Sequence, residues 1–165
     1  MTVYPCYNEA IESTLVSIGK YRQTDRDVRL RADAAAAWRT LTAEASAAGL
    51  SIIPISGFRT IAYQDSLFQR AIAKHGSEEA AARWVARPGC SEHHTGLAID
   101  IGDEEHPACD VEPPFEETRV FQWLQENAAR FGFELSFPRN NSRGVHYEPW
   151  HWRFIGTPEA KQVFQ

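Results

Sequence analysis

The segment Ser91-Glu92-His93-His94-Thr95-Gly96-Leu97-Ala98-Ile99-Asp100-Ile101 constrains this chain more than any other. Read at the two-residue period of a strand, Leu97, Ile99 and Ile101 form one face, and Gly96, Ala98, Asp100 and Gly102 form the other. The first is a core face. The second is small apart from one carboxylate, which leaves room for something to sit against Asp100. A carboxylate in the middle of an apolar strand is costly unless it is paired or bound to a metal. Two readings therefore stand for Asp100: a structural aspartate that salt-bridges an arginine or caps a loop, or a ligand.

The stretch Tyr147-Glu148-Pro149-Trp150-His151-Trp152-Arg153-Phe154 bears on that choice. Trp150, Trp152 and Phe154 share one face and read as core, whereas His151 and Arg153 share the other. If the two strands pair, His151 and Asp100 converge. His93, in the turn before the Asp100 strand, can supply a third donor. Two imidazoles and one carboxylate with an open fourth position make a catalytic zinc arrangement. A closed structural site would more often use several thiolates, and Cys6, Cys90 and Cys109 have no metal-type spacing. Glu148 lies three residues before His151, so a regular strand would turn it to the opposite face. Pro149 breaks the regular extension, and a bend there can swing Glu148 toward the metal as a general base. Arg59, in Ser56-Gly57-Phe58-Arg59-Thr60, is the candidate for stabilising an oxyanion or docking a substrate carboxylate. Its plainer reading is a solvated or salt-bridged arginine.

With 165 residues and no repeat or linker, the chain reads as one domain over residues 1–165. A net charge of −5 with scattered basic residues argues against a nucleic-acid partner. No run of about 18 apolar residues is present, so no membrane span is expected. Asp25 to Ala48, followed by Gly49, reads as a helix, and residues 1–23 read as a surface wrap. Leu50 to Ile55 reads as a buried strand, and Ile61 to Lys74 as a helix. A third helix is expected from a Ser77 cap to about Ala86, and a fourth from Glu116 to Arg130. Residues 102–115 read as a loop. Trp150 to Phe154 reads as a strand, and Thr157-Pro158 opens a last helix. The class is α+β, with a small central antiparallel sheet flanked by helices.

S-x-H-x-x-G-x-A-x-D (Ser91, His93, Gly96, Ala98, Asp100) with a downstream E-x-W-H (Glu148, Trp150, His151) resembles the VanY-type D-alanyl-D-alanine carboxypeptidases. These are zinc peptidases of the Hedgehog-type, VanX-like fold. Ser56 to Thr60 with Gln64, and Ala86-Arg87-Pro88-Gly89, extend the likeness over about residues 50–156. The resemblance implies one zinc held by His93, Asp100 and His151, with Glu148 as general base and Arg59 as electrostatic stabiliser. It further implies Ser91 and Gln64 near the substrate's terminal carboxylate, with Tyr147 lining the pocket. The implied substrates are peptidoglycan stem peptides or precursors ending in D-alanine. D,D-dipeptidase, L,D-carboxypeptidase and wall endopeptidase activities are alternatives within the enzyme class. A metal-bearing peptidoglycan-binding module is the alternative outside it, and the retained Glu148 and Arg59 argue against that module.

His94 reads as structural because its neighbour His93 points elsewhere, and His75, His106 and His146 read as solvated. The cysteines are either three separate thiols or include a Cys90–Cys109 disulfide flanking the Asp100 strand, which would favour an oxidising compartment. No signal peptide is visible, so the chain as it stands reads as cytoplasmic, or as an envelope protein whose export segment was trimmed. A monomer is expected.

Overall fold

A computed structural model describes residues 4–165. Strand β1 (Leu15–Lys20) pairs antiparallel with β2 (Asp27–Arg31), and helix α1 (Ala32–Ala47) follows directly. Next come β3 (Ile52–Ser56), α2 (Ile61–His75), the short α3 (Glu78–Ala81) and β4 (Ala98–Asp103). Helix α4 (Arg119–Asn127), β5 (Phe133–Leu135), β6 (His151–Phe154) and α5 (Pro158–Val163) complete the order. The central sheet is four-stranded and antiparallel, in the order β3-β4-β6-β5. The α+β architecture is therefore the one expected. Among the described residues, no helix is long and apolar enough to cross a membrane.

The alternation read from the sequence is realised in the core. Leu97, Ile99 and Ile101 pack in one cluster with Trp150, Trp152 and Phe154, against Trp38 and Leu41 of α1 and Phe121 and Leu124 of α4. Removing one such aromatic side chain costs about 3–5 kcal/mol. This core clamps β4 to β6, and their other faces carry the polar residues.

The expected helix over 25–48 is instead a strand followed by a helix. Val28 and Leu30 alternate with Arg29 and Arg31, and the two apolar side chains are fully buried, so the strand period governs there. The Ala-rich run takes over at Ala32. Part of the presumed surface wrap is strand β1. Helix α3 is shorter than expected, although Ser77 caps it as read, through a bond from the Ala80 amide. Helix α4 starts three residues late, because Pro113 and Pro114 set up a 3-10 turn over Pro113–Glu117 and Thr118 then caps the helix.

The N-terminal segment runs along the loop before β4. The Tyr7 amide donates to the Gly89 carbonyl (2.8 Å), the Ala10 amide donates to the His94 carbonyl (2.7 Å), and Glu9 accepts from the first amide of α2 (2.6 Å). This docking corrects the disulfide expectation. The three cysteines are free, and the sulfur nearest Cys90 is that of Cys6, at 3.9 Å. Cys109 instead packs against the main core, in the turn Pro107–Cys109 that follows β4. Mild oxidation of the folded protein should therefore join Cys6 to Cys90 and leave Cys109 as the titratable thiol. A Cys90–Cys109 cross-linked peptide in the mass-spectrometric digest would contradict this arrangement.

Candidate metal centre

Strand register builds the site. Asp100 of β4 lies directly across from His151 of β6, with Ile99 opposite Trp152 and Ala98 opposite Arg153. The core faces are thereby matched, and Asp100 and His151 are left together on the opposite side. His93 arrives from a 3-10 turn, Glu92–Thr95, that Ser91 caps through a bond from the His93 amide. Gly96, at φ +69°, ends the turn in the left-handed conformation that glycine tolerates best. One donor atom each from His93, Asp100 and His151 lies within 4.8 Å of the others, and all three residues are buried.

The hydrogen bonds fix which ring nitrogens face one another. His93 Nδ1 lies 2.7 Å from the carbonyl of Gly57. A carbonyl only accepts, so Nδ1 carries the proton and Nε2 presents a lone pair, 3.2 Å from Asp100 Oδ1. Burial, with Arg59 adding to it, pushes His93 down to about 4, so it is neutral at ordinary pH. Gly57 earns its place by close approach, because a Cβ there would lie 2.3 Å from the Arg29 carbonyl oxygen. His151 uses Nε2 to meet Glu92 at 2.9 Å, while its Nδ1 faces Asp100 Oδ1 at 3.3 Å and Glu148 at 3.6 Å. Burial opposes a charge on His151, but Asp100 and Glu92 outweigh it and raise the ring to about 10. The carboxyl of Asp100 is held well below its usual range, against burial, by His93 and Arg59. The point where these donors meet thus favours positive charge and faces a free imidazole lone pair. That donor set fits a divalent metal with an open position.

Glu148 comes to the site as the proline bend requires. Its amide bonds the Phe137 carbonyl, and the His151 amide bonds back to its carbonyl at 3.2 Å, a tight turn containing Pro149. Burial pushes its carboxyl up to about 8, with His151 pulling the other way. Arg59 is held on three sides: Nε on Ser56 Oγ (2.8 Å), a terminal nitrogen on Gln64 (3.4 Å), and the other on Asp100 Oδ2 (2.6 Å). The salt-bridged readings of Asp100 and Arg59 are therefore realised, in the same place where Asp100 faces the two imidazoles. Gln64 and Ser91 line the same cavity of about 470 Å³ as His93, Asp100, Glu148 and His151. Tyr147 does not line it, contrary to expectation. Its ring lies under Arg139 and packs at the edge of the main core. Tyr4, from the docked N-terminal segment, lines the cavity and bonds the Ala82 carbonyl. His94 is structural, bridging the Gly89 amide and the Arg59 carbonyl. His106 and His146 are exposed, as expected, His106 reaching Asp103 and His146 stacking on Trp84.

The residue that the sequence reading missed is Glu92. Its carboxylate is buried and saturated: one oxygen accepts from His151 Nε2 and Ser136, and the other from Arg143 and Arg153. Burial alone would raise its pKa, but His151, Arg153 and Ser136 hold it down at about 2. An anion fixed on Nε2 orients the His151 ring and strengthens Nδ1 as a donor. The available signal was an acidic residue between Ser91 and His93, together with Arg153 on the His151 face.

The VanY family, described as D-alanyl-D-alanine carboxypeptidase, matches residues 27–157. This chain belongs to that family. The bifunctional D-Ala-D-Ala dipeptidase and carboxypeptidase VanXYC of Enterococcus gallinarum is 32% identical over 143 residues, 85% of this chain and 74% of that protein. The LdcB LD-carboxypeptidase structure superposes with a TM-score of 0.79 at 31% identity, covering 95% of this chain and 73% of the other. A VanY variant from a VanB-type resistance cassette, solved in complex with Zn(II), gives 0.68 at 31%, covering 88% and 84%. The chain spans about half the length of three other curated relatives that it matches.

Replacing Glu92 with Gln keeps its shape and one of its two accepting oxygens while removing the anion behind His151. Zinc affinity, measured by chelator competition, should fall by about 10- to 100-fold with the fold intact by circular dichroism. Affinity equal to the parent protein's would remove Glu92 from the metal centre.

Proposed function

We propose that this chain is a zinc-dependent carboxypeptidase that removes a C-terminal D-alanine from peptidoglycan stem peptides, working as a single domain and a monomer. The reading rests above all on the Asp100–His151 register, which brings His93, Asp100 and His151 within 4.8 Å beside Glu148. His93, Asp100 and His151 hold the zinc in this scheme. Bound there, zinc supplies Lewis-acid chemistry, polarising the scissile carbonyl and acidifying water. The VanY neighbour solved with Zn(II) supports the choice of metal.

The chain's own residues then do the following. Glu148, which lines the cavity beside the three donors, takes a proton from the attacking water at a side-chain oxygen and returns it to the departing amine nitrogen. Arg59, held by Ser56 and Gln64, presents fixed positive charge to the developing oxyanion or to the substrate's terminal carboxylate. Ser91 and Gln64 complete the carboxylate receptor. An internal peptide bond would leave that receptor unpaired, which favours exopeptidase action.

L,D-carboxypeptidase action is a second reading, favoured by the TM-score of 0.79 to LdcB against 0.68 to the VanY variant. Digestion of four- and five-residue stems, followed by mass spectrometry, separates the two. The first reading expects the pentapeptide ending in D-Ala-D-Ala to lose one residue and its C-terminal amide to be nearly inert. Equal cleavage of acid and amide would overturn the exopeptidase assignment, and exclusive use of the tetrapeptide would select the second reading. Glu148→Gln should lower kcat by about 10²–10⁴ while retaining zinc, and near-normal turnover in that variant would move the base elsewhere.

A further inference from the structure

The cavity continues past the metal centre along α2, and its far wall is cationic. Arg70 and Lys74, four residues apart and so on one side of the helix, both line it, as do Leu67 and Ala71 between the metal end and that wall. Arg70 makes only a 3.3 Å bond to the carbonyl of Ser66 one turn back, and neither cation forms an ion pair among the described residues. Beyond them the cavity reaches Trp84, 45% exposed, whose indole lies between the rings of His75 (5.5 Å) and His146 (3.8 Å). One acidic residue outside the metal centre, Glu112, lines the same cavity.

Helix α2 also acts as a ruler. Gln64 stands at the metal end, bonded to the arginine that meets Asp100. At 1.5 Å per residue, Arg70 lies about 9 Å and Lys74 about 15 Å farther along the axis. An extended peptide covers about 3.3–3.6 Å per residue. These cations therefore stand roughly three to four residues from a terminal carboxylate seated at Gln64 and Arg59, or within reach of a long side chain attached closer in. Nothing of the substrate lies beyond its own C-terminus, so this part of the cavity faces the substrate's N-terminal side.

We propose that Arg70 and Lys74 bind a carboxylate carried by the substrate upstream of the scissile bond and so select acidic stem peptides over neutral ones. The inference rests on the carboxypeptidase reading for the direction of the substrate. Two exposed cations contribute modestly, and together they amount to about a three- to tenfold preference at low salt. The side chains are exposed and bear no packing role, so their replacement leaves the fold in place.

The test uses N-acetyl-L-lysyl-D-alanyl-D-alanine acylated on the lysine side chain with either acetyl, which is neutral, or succinyl, which adds a carboxylate. The zinc-loaded protein should cleave the succinyl peptide with about three- to tenfold higher kcat/KM, expressed in KM, and salt should erode the difference. An Arg70→Ala, Lys74→Ala double variant should treat the two peptides alike. Equal kcat/KM for both peptides in the parent protein, or a preference that survives in the double variant, overturns the proposal. Calorimetric binding of the same peptides to zinc-loaded Glu148→Gln needs no turnover and separates the two readings. Preferential binding of the succinyl peptide without cleavage of either peptide by the parent protein sinks the carboxypeptidase reading and leaves this one standing, whereas equal binding sinks this one.

Discussion

The pairing of β4 with β6 is the constraint on which the rest depends. Asp100 faces His151 only because Ile99 faces Trp152 and the alternate side chains of both strands interlock in the core. A slip of one residue would turn every side chain to the opposite face. Aromatic and branched side chains that cost several kcal/mol to misplace therefore hold two polar residues at ligand distance. The buried charge is tolerable because each member has a partner: Asp100 has Arg59 and two imidazoles, and His151 has three carboxylates.

Around that pair, the supporting groups set direction rather than mere proximity. The Gly57 carbonyl fixes the tautomer of His93, and Glu92 fixes the ring of His151, so the other nitrogen of each ring turns toward Asp100. Glu92 is anchored in turn by two arginines from separate segments, Arg143 and Arg153. Ser136 ties the chain after β5 to the same carboxylate. The proposed metal centre and the closure of the C-terminal half of the sheet are thus one electrostatic unit. This coupling explains why an acidic residue can sit inside the fold with almost no exposure.

Much of this was legible in the sequence wherever period two governs. Leu97, Ile99 and Ile101 against Asp100, and Trp150, Trp152 and Phe154 against His151, follow from parity alone, and the Pro149 bend follows from proline's missing donor. Glu92 was not legible, because its role depends on Arg143, Arg153 and Ser136, which lie 44 to 61 positions away. Tyr147 was placed in the pocket by adjacency to Glu148, yet the same bend that brings Glu148 in turns Tyr147 toward Arg139. The strand at Val28 and Leu30 was masked by a helix-forming run beside it, and only burial against β1 decides it. The segment that carries Tyr4 and Cys6 docks on the site loop through the amides of Tyr7 and Ala10, bonds that leave no sequence pattern.

Metal content tests the central claim most directly. Protein purified in zinc-containing buffer and dialysed should carry about one zinc per chain by elemental analysis. His151→Ala and Asp100→Ala should each lose it while keeping the parent protein's circular dichroism. Zinc retained at full stoichiometry by either folded variant would contradict the account, because the strand register would then not be what creates the site.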